Sequence, residues 1–166
     1  MMTKINFSLW IISVVLAVPL NTLSGQHGRM PAPAKEGMVV SSHYLASQAG
    51  MQVLKNGGNA VDAAIATAFA LAVTLPSAGN IGGGGFLVYH GVDGTSTTFN
   101  FREKAPQAAS ERMYLDANGQ IKDNSNHEGP LSVGVPGTVA GLWMAHGKLG
   151  SKTWADLVKP SVELAE

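Results

Sequence analysis

The sequence is 166 residues long, 45% hydrophobic and 13% charged, enough for one domain-sized core and too apolar for a disordered chain. Eleven Lys and Arg balance eleven Asp and Glu, so no net field favours nucleic acid or an anionic membrane surface. Cysteine is absent, which removes disulfides and thiolate chemistry, and the five histidines show no paired metal-ligand spacing.

The first 24 residues read as an export signal. Lys4 precedes an apolar run from Leu9 to Val18, broken only by Ser13 and ended by Pro19. Thr22 and Ser24 then place small residues where a signal peptidase reads. The run falls short of the roughly 20 residues of a membrane span, which makes an uncleaved anchor the competing reading. Residues 25–36, with Pro31 and Pro33, read as a linker to a domain over 37–166.

Gly37–Ser41 is a short strand candidate, and Ser42 is placed to cap a helix over His43–Asn56 with Gly57 as its left-handed stop. Asn59 caps a second helix from Ala60 to about Leu75, whose single charge, Asp62, lies in the first turn and suits the helix dipole. A helix so uniformly apolar and alanine-rich belongs in a core with close neighbours.

Four glycines follow, Gly82–Gly85. The run lacks the Lys of a phosphate-binding loop, and counting G-x-G-x-x-G from Gly82 ends on Leu87. Four glycines cost backbone entropy, so they answer a need for positive φ or for close approach by another group.

Two strands are expected next, Phe86–His90 and Thr95–Arg102, joined by turn chemistry at Gly91–Gly94. Alternation puts Phe99 and Phe101 on one face and Thr98, Asn100 and Arg102 on the other. Residues 116–129 have the Asn and Gly content of a surface loop. A helix over Val139–Lys148 and another after Thr153, containing Pro160, complete the pattern. No stop signal precedes Glu166, and the chain is expected to be part of a longer one.

Five blocks, in order, resemble the N-terminal part of the large subunit of γ-glutamyltranspeptidases. They are Gly37-Met-Val-Val-Ser-Ser-His43, Gly57-Gly-Asn-Ala-Val-Asp-Ala-Ala-Ile65, Ile81-Gly-Gly-Gly-Gly-Phe86, Phe101-Arg-Glu-Lys-Ala-Pro106 and Val133-Gly-Val-Pro-Gly-Thr-Val-Ala-Gly141. The resemblance implies an α+β fold, the αββα sandwich of an N-terminal-nucleophile hydrolase, with only its N-terminal portion present. It implies acyl transfer from glutathione or other γ-glutamyl compounds to amino acids, peptides or water, without a cofactor or metal. The precursor would cut itself into a heterodimer of large and small subunits, and the threonine nucleophile would head the small subunit, downstream of this sequence. No catalytic residue is then expected here. Thr97-Thr98 lies inside a hairpin strand without a cleavage context, and the resemblance places the oxyanion-hole glycines in the small subunit, outside Gly82–Gly85.

Arg102 matches the family arginine that holds the α-carboxylate of the γ-glutamyl group, and its planar guanidinium suits a carboxylate. A structural ion pair, with Glu103 or a loop acid, is the competing reading; Glu103 itself would support the arginine or the fold. β-Lactam acylases and poly-γ-glutamate enzymes share the fold and remain alternatives, as does a non-catalytic fragment that binds γ-glutamyl compounds or a partner.

Export to the periplasm or medium is expected, with cleavage soon after Ser24. Intact-mass measurement of the secreted protein checks this, and a product that still begins at Met1 in the membrane fraction would refute it.

Overall fold

The computed structural model describes residues 33–166, so the expected signal over 1–24 and most of the linker over 25–36 lie outside the described residues. From Glu36 to Glu166 the chain forms one compact unit. Its elements are α1 (Tyr44–Lys55), α2 (Ala60–Thr74), β1 (Phe86–His90), β2 (Ser96–Asn100), a 3₁₀ turn (Pro130–Ser132), α3 (Thr138–Leu149) and α4 (Trp154–Ala165). Helices α1, α3 and α4 all contact α2.

Local sequence explains most of these boundaries. At the end of α1, the Gly58 N–H donates to the Val53 carbonyl and the Gly57 N–H to that of Leu54, with Gly57 at φ 78°. This is a Schellman stop, and it needs a left-handed residue at Gly57. Asn59 Oδ1 accepts from the backbone of Val61 and Asp62, while Asp62 accepts from the Asn59 N–H, a reciprocal capping box. Thr153 caps α4, which continues through Pro160. Proline has no N–H to offer the Asp156 carbonyl one turn earlier, and the helix forgoes that bond.

Two expectations at the start of the domain do not hold. Gly37–Ser41 forms no strand, because no described strand lies beside it to supply ladder bonds. Val39 still packs on the core. Helix α1 is capped by His43, whose Nδ1 accepts from the Leu45 N–H at 3.3 Å. Ser42 does not cap it, and Ser41 instead donates to the His43 carbonyl and contacts the Ser47 hydroxyl.

Helix α2 is buried along most of its length and surface, as its composition requires, and Ile65 within it is fully buried. Leu157 of α4 joins it in the core; burying a side chain of that size contributes roughly 1.5–3 kcal/mol. Small residues set the spacing to α1: a Cβ on Gly50 would coincide with the Thr67 hydroxyl. Trp154 meets Phe69 edge-on at 5.5 Å and Trp143 at 5.1 Å, joining α4 to α2 and α3.

The hairpin is antiparallel with Phe86 opposite Asn100 and His90 opposite Ser96. Its second strand is shorter than expected, Ser96–Asn100 against Thr95–Arg102, because Thr95 belongs to the turn. Phe99 is buried while Thr98 and Asn100 are exposed, which bears out the expected alternation. Residues 116–129 are a mostly exposed loop organised by Asp116, which accepts from the backbone of Asn118 and Gln120.

Asp62 is a fully buried carboxylate. Burial raises its pKa, but donation from the Ser151 hydroxyl and from the N–H groups of Asn59, Ser151 and Lys152 outweighs this and holds it below the usual 3.8. The folded state thus favours the carboxylate form, and this stabilisation is present at neutral pH and lost as pH falls below 3.8. Asp62→Asn should cost about 1–3 kcal/mol at neutral pH by leaving buried donors poorly paired. Urea unfolding of both proteins at neutral pH and near pH 3 checks this; the gap between them should narrow in acid.

Candidate functional site

Three segments converge beyond the end of the hairpin: the glycine run, Phe101–Lys104 and Gly134–Thr138. The ladder continues past β1, with the Phe101 N–H donating to the Gly85 carbonyl at 3.0 Å and the Gly85 N–H returning to Phe101 at 3.4 Å. Extending that register by one residue sets Gly84 opposite Arg102. The chain then pairs on its other side, where Lys104 and Val135 exchange backbone hydrogen bonds of 3.3 and 2.8 Å.

Helix α3 starts against this junction. The Gly83 carbonyl accepts from the N–H groups of Gly137 (2.7 Å) and Thr138 (3.0 Å), satisfying donors that the helix leaves free at its N-terminus. Gly137 has no side chain to serve as a cap. A Cβ on Gly137 would coincide with the Phe101 carbonyl, and one on Gly141 with the Phe101 ring. Glycine at both positions lets α3 lie directly on the strand that carries the motif.

The glycine run resolves the choice between positive φ and close approach. None of Gly82–Gly85 has positive φ. A Cβ on Gly84 would lie 2.7 Å from the Glu103 nitrogen, 2.7 Å from the Phe101 carbonyl and 2.8 Å from Glu103 Oε2. One on Gly83 would meet the Asn80 side chain at 2.6 Å, whereas one on Gly82 would meet nothing within 4 Å. Backbone crowding explains Gly84; nothing in the structure explains Gly82. An apolar groove of about 420 Å³ lies at the junction, lined in part by Ala64, Ala68, Phe86, Phe101 and Leu142.

Arg102 projects from the opposite, polar face, with 71% of its side chain exposed. Its N–H is held by Asn100 Oδ1 at 3.1 Å, which fixes the backbone at the strand end. Glu103 Oε2 approaches only Nε, at 3.9 Å, from a side chain that is itself 41% exposed. Such a long, solvated contact contributes little stability. It also leaves the terminal guanidinium nitrogens free of any salt-bridge partner among the described residues. Thr97 and Thr98 pair with Tyr89 and Val88 inside the hairpin.

The sequence profile of the Gamma-glutamyltranspeptidase family matches residues 46–166. The chain belongs to the γ-glutamyltranspeptidase family. A "Glutathione hydrolase proenzyme" of Pseudomonas sp. (strain A14) is 45% identical over 161 residues, covering 97% of this chain and 28% of that relative. This chain therefore spans little more than a quarter of the relative's length. The crystal structure of Helicobacter pylori γ-glutamyltranspeptidase superposes with a TM-score of 0.77 at 48% identity, over 82% of this chain and 39% of that one. A cephalosporin acylase from Bacillus halodurans is more distant, at 31% identity and a TM-score of 0.66, over 85% of this chain and 27% of that one. The α+β fold is thus that of the family's N-terminal-nucleophile hydrolase architecture, of which the described residues contribute helices and one two-stranded sheet.

Sequence reasoning did not pair Asn80 with Thr138, whose side chains meet at this junction. The available signals were an asparagine three positions before Gly83, able to accept from its N–H, and a glycine that begins α3 without a side-chain cap.

Gly84→Val should lower stability by about 1–3 kcal/mol through overpacking and reduce the yield of mature protein before it alters substrate affinity. Gly82→Val should be tolerated. Soluble yield and thermal midpoint of the two variants, compared with wild type, check the contrast.

Proposed function

We propose that the complete protein is an exported γ-glutamyl acyltransferase and glutathione hydrolase in which Arg102 holds the α-carboxylate of the γ-glutamyl donor. The observation that carries this reading is an exposed guanidinium just past the end of β2, approached by Glu103 on one nitrogen only and at 3.9 Å. An arginine committed to a structural ion pair would be buried or held closely by its acid. The similarity to glutathione hydrolase proenzymes supports the same reading, and the lower identity to the cephalosporin acylase places that activity second.

In this proposal two guanidinium N–H groups donate to the two carboxylate oxygens, fixing both position and orientation of the donor. Glu103 supports the arginine from its Nε side. The nucleophile is a threonine at the start of a small subunit, outside this sequence, and the large subunit containing this chain forms a heterodimer with it after self-cleavage. The threonine hydroxyl attacks the γ-amide carbonyl as its proton passes to the threonine's own α-amine. The amide C–N bond then breaks and the departing amine takes that proton. Water or an amino acid amine attacks the resulting γ-glutamyl ester and regenerates the hydroxyl.

Arg102→Ala in the complete enzyme should remove a charge-assisted contact of roughly 1.5–3 kcal/mol. That is a loss of about tenfold to hundredfold in kcat/KM. Arg102→Lys should recover part of it, because the charge remains while the fork is lost. Self-cleavage should continue in both variants. Kinetics with a γ-glutamyl anilide and its α-carboxamide analogue decide the matter: wild type should discriminate strongly between them and Arg102→Ala hardly at all. Equal discrimination by the two enzymes would refute the role.

A further inference from the structure

Asn80 occupies the point where the glycine run meets helix α3. Its Oδ1 accepts two hydrogen bonds, from the Gly83 N–H at 2.8 Å and from the Thr138 hydroxyl at 2.7 Å. Its Nδ2 reaches the Ala78 carbonyl at 3.4 Å, bracing the approach to the run. Thr138 is buried although its partner is exposed, so the helix end of this contact is rigid. Gly83 is thereby held on both sides, its N–H by Asn80 and its carbonyl by the N–H groups of Gly137 and Thr138.

The next residue transmits this restraint. Gly84 leaves no space for a side chain on this side: a Cβ there would lie 2.7 Å from the Phe101 carbonyl and the Glu103 nitrogen and 2.8 Å from the Glu103 carboxylate. A displacement of Gly83 would carry Gly84 into, or away from, the backbone on both sides of Arg102. Glu103, the acid that approaches the Arg102 Nε, would shift with it.

We infer that Asn80 is a positioning residue for the Arg102 site, acting with Thr138 through Gly83 and Gly84 to fix where the guanidinium stands. The inference rests on Arg102 being the carboxylate anchor. It assigns Asn80 no contact with substrate. The relevant chemical feature is the double acceptor at Oδ1, which an aspartate keeps and an alanine lacks. A carboxylate there would also suit the positive N-terminus of α3.

The test measures the ratio of kcat/KM for a γ-glutamyl anilide to that for its α-carboxamide analogue in the matured, complete enzyme. This ratio reports the carboxylate contact and is independent of the fraction of protein that folds. Asn80→Ala should lower it about three- to tenfold, chiefly through KM for the anilide, as expected for loss of one or two neutral hydrogen bonds. Thr138→Val, which keeps the volume and removes one donor, should lower it less. Asn80→Asp should restore most of the wild-type ratio. Should Asn80→Ala fail to mature, Thr138→Val and Asn80→Asp carry the comparison.

Arg102→Ala is measured alongside. If it abolishes discrimination while Asn80→Ala or Thr138→Val keeps the wild-type ratio, the positioning role is overturned and the anchor survives. If Arg102→Ala itself keeps the wild-type ratio, the anchor assignment fails and the inference with it. An Asn80→Asp variant as defective as Asn80→Ala would overturn the account based on the Oδ1 acceptor.

Discussion

Helix α2 carries one charge and buries eight of its fifteen residues, so it forms only if other elements cover it, and their arrangement follows from how they do so. Alanines along α2 and glycine at position 50 bring α1 within a distance at which any added side chain would clash. The lone charge is used as well. Asp62 caps its own helix and accepts from the loop between α3 and α4, so one buried carboxylate fixes the start of α2 and the path of a segment about 90 residues away. Its charge costs desolvation free energy, which four separate donors offset.

The same economy of side chains governs the hairpin's outer end. There Gly84, Gly137 and Gly141 allow three segments to meet with backbone against backbone, and Phe101 fills the space that two of those glycines leave. The result is a stiff mount for the residue that follows Phe101. Arg102 emerges from it on the opposite face, toward solvent, without a close partner. The backbone is thus crowded beneath a side chain that is itself 71% exposed.

Membership of the γ-glutamyltranspeptidase family narrows the chemistry without completing it, because this chain spans 28% of its Pseudomonas relative. In the proposed reaction Arg102 contributes donor recognition, while the nucleophile belongs to another segment.

Periodicity and local start and stop signals were enough to place the four described helices and the hairpin, although the cap of α1 proved to be His43 and not Ser42: Asn59, Gly57 and Thr153 act on backbone groups within a few positions. The Arg102 motif was also legible, since its residue type and neighbours are contiguous. Strand formation at Gly37–Ser41 was not decided locally; an apolar run becomes a strand only when a neighbour supplies ladder bonds, and none is described there. Nor could the sequence separate positive φ from close packing in the glycine run. That depended on Glu103 and Phe101 lying against Gly84, nearly 20 residues away in the chain. The link from Asn80 to Thr138 spans 58 positions and exists only once α3 has docked on the strand. Local hydrogen bonding and alternation are written in consecutive residues; which side chains share a junction is decided when distant segments pack.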